Sequence, residues 1–231
     1  MLPGIDDGCE TIEESIASIA MLQGAGYVGT ICTPHLWPEL FPENTPANIK
    51  RWTDALVSDL ANRGIEYTLW PGGELRLFNG VIEWMKSHGV PTLSDSRYVL
   101  VDFWEDTWPK YVDQALDWLL ENGYQPILAH PERIGIADTE SLVKHLDEAT
   151  ARGVLLQGNF RCMTGEDGYH QDQRVRQFLT EGRYWLMAMD MHRPDALPSR
   201  LDGMQMVVQE YGQKTVDLMT IDRPRVVLTN G

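Results

Sequence analysis

The chain of 231 residues is poor in cysteine: it has only Cys9, Cys32 and Cys162, odd in number and far apart. Their spacing supplies neither a disulfide framework nor a zinc knuckle. None of the three is followed by Arg at the distance of a Cys-x5-Arg signature, which argues against a thiol-phosphate mechanism. Positive charge is also scarce, with 19 Lys and Arg against 34 Asp and Glu and a formal charge of −15. Such a surface does not bind nucleic acid through phosphates and is disfavoured on anionic membranes. No apolar run reaches the roughly 18 residues of a spanning helix, and no signal peptide opens the sequence. With unpaired cysteines, these absences point to a reducing, cytoplasmic compartment. Repeats, linkers and low-complexity stretches are missing too, so residues 1–231 read as one domain.

What is present is a core. Hydrophobic residues make up 43% of the chain, eight Trp among them. Thr11 and Glu14 form a capping box before Ile12, Ile16 and Ile19, and Gly24 closes that helix. A strand is predicted over 27–35, then a helix from Pro46 with Ile49, Trp52, Leu56 and Leu60 on one face, stopped at Gly64. Further strands are expected at 65–75, 97–104, 125–133, 154–159 and 184–192, with helices between them and two short helices at the end. The strands are apolar throughout, as strands buried on both faces are, and their alternation with helices implies parallel pairing. The Pro-rich segment 36–45 reads as a rigid surface loop rather than a lid.

The strands end on polar residues: His35, Glu74, Asp102, His130, Asn159, and Asp190 with His192. Any one of these has a structural reading, since Asp and Asn cap helices and a single His is commonly a hydrogen-bonded core residue. Together they make a set of imidazole and carboxylate donors suited to Zn, Mn or Fe, gathered where parallel sheets carry their chemistry. Asp190 and His192 stand two apart and so share a strand face. His88, His145 and His170 fall on or beside helices and read as structural.

The segments LPGIDDG, CTPH, PGGE, ILAHPER and MDMH occur in the order and spacing of the PHP (polymerase and histidinol phosphatase) superfamily. The chain most resembles its bacterial manganese-dependent tyrosine-protein phosphatases of capsule and exopolysaccharide biosynthesis. That resemblance implies a distorted, TIM-like (β/α)7 barrel with up to three metal ions. It implies Asp7, His35 and His192 on one ion, Glu74 bridging the other two, His130 on one of these and Asp190 on the other. Mn2+ is the expected ion, with Zn2+, Fe or Mg2+ as alternatives. Arg133 would hold phosphate oxygens together with a second arginine, for which Arg200 is the nearer match and Arg193 the alternative. The family has Ser and Ala where Met189 and Met191 stand here. The implied substrate is a phosphotyrosine protein, such as a bacterial tyrosine kinase, and an oligomer is compatible with the resemblance. A small-metabolite phosphatase of the histidinol-phosphate kind and a non-catalytic binding relative are the competing readings.

In the resembling family a strand ending Asp-x-His-x-His comes directly before the segment matching LPGIDDG, whereas Met1 stands at that point here. The expectation is a barrel lacking its first strand and two histidine ligands, from an internal start, an incomplete gene or a decayed relative. The strand carrying His35 and one near the C-terminus would then flank a gap.

Overall fold

The computed structural model describes residues 1–229. Its strands are β1 (Gly29–Cys32), β2 (His35–Leu36), β3 (Thr68–Pro71), β4 (Glu74–Arg76), β5 (Tyr98–Asp102), β6 (Gln125–Ala129), β7 (Leu155–Asn159) and β8 (Leu186–Ala188). The helices are α1 (Ile12–Gly24), α2 (Pro46–Asn62), α3 (Val81–His88), α4 (Lys110–Glu121), α5 (Thr139–Ala151), α6 (Tyr169–Thr180), α7 (Leu197–Tyr211), α8 (Gln213–Asp217) and α9 (Arg223–Thr229). All strand pairing within the two sheets is parallel, in an α/β arrangement.

Six strands form one sheet in the order β2-β4-β5-β6-β7-β8, and β1 pairs with β3 in a separate two-stranded sheet. Among the described residues no closed barrel is formed. The two expected strands 27–35 and 65–75 are each broken in two. Pro34 interrupts the first, because it has no N–H to give a ladder. Gly72 and Gly73 interrupt the second, where a Cβ on Gly73 would lie 2.1 Å from Leu36 Cδ1. The breaks step the chain from the two-stranded sheet into the six-stranded one. The edges of the larger sheet are β2 and β8, and residues of both line a cavity of about 530 Å³.

Alternation along the strands builds two faces. Val99, Val101, Leu128, Leu156 and Met187 point into the large core beneath the helices. Tyr98, Leu100, Ile127, Ala129 and Leu186 make a smaller cluster on the other face, closed by Val227 of α9. Register carries that inner face across the sheet, pairing His35 with Glu74, Glu74 with Leu100, and Arg76 with Asp102. The inner face is thus apolar at its amino end and polar at its carboxyl end.

The helices follow their patterns. Thr11 Oγ1 caps α1 by accepting from Glu14 N at 3.2 Å, while the Glu14 carboxylate reaches past Thr11 to accept from Glu10 N at 2.7 Å. In α2, Ile49, Leu56 and Leu60 are buried with Thr53, and Trp52 packs half-buried at the edge. The C-terminal region is more helical than expected: α7 runs 15 residues and packs tightly on the turn Phe160–Thr164. Gly203 permits that approach, since a Cβ there would fall 2.0 Å from Phe160 O. Arg223 Nη1 donates to Tyr184 O at 2.9 Å, tying the end of the chain to the approach to β8.

Candidate metal centre

Two clusters of carboxylate and imidazole groups lie at the carboxyl end of the inner face: Asp7, His35 and His192, and Glu74, Asp102 and His130. Within each, the potential ligand atoms lie within 4.8 Å of one another.

The opening turn assigns different tasks to its paired acids. Gly4 N donates to Cys9 O at 2.8 Å, closing the turn. Asp6 is structural: its carboxylate accepts from Gly8 N at 3.0 Å and from His35 N at 3.1 Å. Asp7 faces the histidines instead, 3.4 Å from His35 Nε2 and 3.6 Å from His192 Nε2. Buried Asn44, in the loop after β2, donates to His35 O at 2.8 Å and to Ile5 O at 3.0 Å. That loop is therefore pinned to the site. The hydrogen bond with His35 holds the Asp7 carboxyl down at about 2 despite partial burial. Burial pushes the His35 imidazole down, but the hydrogen bond to Asp7 and the charge of Glu74 outweigh it and raise the group to about 9.

The second cluster is more deeply set. Glu74 Oε1 is 3.1 Å from His130 Nε2. Asp102 ends β5, is 2% exposed, and its Oδ1 has no hydrogen-bond partner. Burial and the neighbouring Glu74 charge raise its carboxyl to about 7. For His130, burial opposes protonation, but the charge and hydrogen bond of Glu74 raise it to about 9. A buried carboxylate oxygen without a partner costs about 1–3 kcal/mol, and hard N/O donors around it match a divalent cation. The residues present therefore fit a metal ion.

His130 has φ 30° and Asp190 φ 45°, left-handed values that cost a non-glycine residue about 1–3 kcal/mol. Alternation explains the first. Ile127 and Ala129 face inward, so a continued strand would send residue 130 outward into the helix layer. The left-handed turn, followed by Pro131 at the start of a 3-10 turn, brings the imidazole to Glu74 instead.

Asp190 joins the two clusters to the arginines. Its Oδ2 accepts from Asn159 Nδ2 at 2.6 Å and from Arg133 Nη1 at 3.1 Å. Its Oδ1 is 3.8 Å from His192 Nδ1, and its backbone O accepts from Arg200 Nε at 2.9 Å. Burial would raise its carboxyl, but the charges of His130, His192, Arg133 and Arg200 hold it lowered. Arg133, Arg161, Arg200, Asp7 and His192 line a cavity of about 670 Å³ beside it. Arg200 is buried and also donates to Ala196 O, whereas Arg193, which lines the same cavity, is more exposed and pairs with Glu10 at 2.6 Å. Buried Glu132, within HPER, accepts from Asn159 N at 2.8 Å and from Tyr184 OH at 2.7 Å, so it fixes the scaffold under Asp190.

Asp102, Asn159 and Arg161 are site groups that the resemblance does not assign. Asp102 and Asn159 carry a signal in the sequence, since each ends a predicted strand. Arg161 carries none. His88 stacks on Trp84, His145 on Trp108, and His170 meets Tyr169, all apart from both clusters. The three cysteines are free and buried.

The sequence profile of the family described as "Capsular polysaccharide synthesis, CpsB/CapC" matches residues 1–229. Tyrosine-protein phosphatase YwqE of Bacillus subtilis is 32% identical over 169 residues, 72% of this chain and 65% of that protein. The chain thus matches just under two thirds of that relative's length. Tyrosine-protein phosphatase CpsB of Streptococcus agalactiae is 26% identical over 233 residues, covering 98% of this chain and 94% of that one. A solved structure matches with a TM-score of 0.86 at 25% identity, covering 99% of this chain and 92% of the other. It comes from work described as crystal structures of YwqE from Bacillus subtilis and CpsB from Streptococcus pneumoniae, unique metal-dependent tyrosine phosphatases.

Proposed function

The chain belongs to the CpsB/CapC family of capsular polysaccharide synthesis, and on that premise we propose that it is a metal-dependent protein-tyrosine phosphatase. The observation that carries this is the meeting of two carboxylate–imidazole clusters with Arg133 and Arg200 around Asp190. Asp7, His35 and His192 would hold one ion. Glu74, His130 and Asp190 would hold the further ions, and Asp102 would add its partnerless oxygen to the buried set. Mn2+ is the preferred ion. When bound, divalent ions at such a site lower the pKa of water and neutralise charge on a phosphoryl group.

The chain's own residues do the rest. Arg133, half-exposed beside the arginine-lined cavity, presents a planar guanidinium to phosphate oxygens. Arg200 holds the Asp190 backbone from behind and adds positive charge to the same cavity. Asn159 fixes the Asp190 carboxylate, and the Asp6 and Asn44 bonds fix both backbone ends of His35. The leaving phenolate of tyrosine, with a pKa of about 10, needs less protonation than an alkoxide. No thiol takes part: burial pushes Cys32 up to about 12, and Cys162 is raised as well.

The facing of β2 and β8 across one cavity supports reading the six-stranded sheet as an arc of a distorted (β/α)7 barrel. The relatives' names support a phosphotyrosine protein as substrate, and we extend this to a bacterial tyrosine kinase. No described helix is long and apolar enough to cross a membrane, and the buried free cysteines support action in the cytoplasm. The test is hydrolysis of a phosphotyrosine peptide against histidinol phosphate by Mn2+-loaded protein. Faster turnover of the peptide, abolished by chelator, is expected. Preference for histidinol phosphate, or no turnover of either, would overturn the reading.

A further inference from the structure

Three adjacent strands carry a site residue on the inner face: His35 on β2, Glu74 on β4 and Asp102 on β5. One pleat further along, the same alternation brings Trp37, Arg76 and Trp104 to that side. These three pack together. The Arg76 guanidinium lies 4.9 Å from the Trp37 ring and 5.2 Å from the Trp104 ring. The two indoles meet edge to face at 5.1 Å.

The assembly is anchored from beneath. Glu105 pairs with Arg76 Nη2 at 3.3 Å and accepts from Tyr111 OH at 2.5 Å. Its other oxygen accepts from Trp104 N at 3.0 Å. Trp104 is nevertheless 56% exposed. A large aromatic held by its backbone and one side, with the rest of it in solvent, is built for contact rather than for the core. Its ring lies 6.4 Å from that of His35. Aromatic rings contact one another at centroid separations of about 4.5–7 Å. An aryl ester whose phosphoryl group lies at the clusters therefore brings its ring within reach of Trp104.

We propose that Trp104, braced by Trp37 and Arg76, is the aryl subsite that selects phosphotyrosine over alkyl phosphates. This rests on the phosphatase reading above. The cation beneath the indole fixes the ring without covering its outer surface, and the anionic end of the substrate is left to Arg133 and Arg200. An alkyl phosphate such as phosphoserine reaches the same metal centre but offers no ring to stack.

The experiment measures binding of phenylphosphonate and methylphosphonate, two non-hydrolysable probes, to the Mn2+-loaded protein by calorimetry. The wild-type protein is expected to prefer phenylphosphonate, and Trp104→Ala to reduce that preference by about 3- to 10-fold. Trp104→Phe should retain most of it. Trp104→Leu, which keeps apolar bulk but removes the ring, supplies the same comparison if the alanine variant does not fold. An unchanged ratio in a folded Trp104→Ala or Trp104→Leu protein would overturn the aryl subsite while leaving the phosphatase standing. Failure of the wild-type protein to bind either phosphonate or to hydrolyse a phosphotyrosine peptide would overturn both.

Discussion

The two clusters are made of the same kinds of residue in different surroundings. Glu74 and His130 have side chains 4% and 10% exposed, against 57% for Asp7 and 30% for His192. The deep cluster is built from strand ends and a strained turn, and it includes a carboxylate oxygen with no protein partner. The outer one draws on a loop, a short edge strand and the segment after β8. The deep cluster is thus preorganised at a cost in stability, while the outer one is assembled from parts that water can reach. Metal ions should accordingly be held hard in the first and exchanged readily in the second.

The largest expected effect comes from breaking the deep cluster. Glu74→Gln should lower phosphotyrosine-peptide turnover by about 10³-fold, the upper end for removing one preorganised electrostatic partner. Turnover within tenfold of wild type would mean that Glu74 is not a ligand. Next come the arginines. Arg133→Ala should cost about 10²-fold, whereas Arg193→Ala, whose exposed pair with Glu10 is a surface contact, should change turnover little. Steady-state kinetics on both variants check this, and a comparable loss in Arg193→Ala would place that residue in the site. In the outer cluster, Asp7→Asn should weaken Mn2+ binding by about tenfold or more, since even a group that only supports a ligand is worth that much, and leave deep-site occupancy intact. Metal analysis after dialysis checks this, and equal losses from both clusters would erase the distinction drawn between them.

A smaller effect follows from protonation. His35 and His130 are raised from an ordinary 6.5 to about 9 by their carboxylate neighbours. Their contribution to stability is full below 6.5 and is lost as pH rises through about 9. Chelator-treated protein should therefore melt lower at pH 9.5 than at pH 6. Mn2+ must displace the same protons, so its apparent affinity should climb with pH up to about 9. Melting curves and Mn2+ titrations across that range would expose the opposite trend. The smallest effect concerns the thiols. Cys32 is held up to about 12 by burial and Cys162 is also raised, so iodoacetamide at neutral pH should leave activity unchanged. Inactivation by alkylation would point to a thiol nucleophile.

Much of this was legible in the sequence because period and polarity coincide there. Apolar runs ending in His, Glu, Asp or Asn mark parallel strands and the polar end of the sheet at once. Asp102 and Asn159 are named on that rule alone, although the resemblance assigns them no role. What the rule could not show was depth: nothing in the string distinguishes buried Glu74 from exposed Asp7. The break at Gly72–Gly73 carries a local signal, since a Gly-Gly pair punctuates a strand, but the contact with Leu36 that requires Gly73 lies across the chain. The single strand expected over 184–192 stops at Ala188, since Asp190 takes a left-handed conformation that no local residue preference demands. Of the two candidate arginines, Arg200 is the nearer match and Arg193 the alternative. The structure parts them: α7 carries Arg200 and buries it beside Asp190, whereas Arg193 precedes that helix and pairs with Glu10.

Anomalous diffraction from Mn2+-soaked crystals most directly distinguishes two clusters that hold divalent ions of unequal exchangeability from clusters that hold none. Mn peaks are expected at coordination distance from the donor atoms of Glu74, Asp102 and His130 and of Asp7, His35 and His192, with the outer peak lost first on brief chelation. Manganese confined to surface carboxylates, or absent from Glu74, Asp102 and His130, would contradict this.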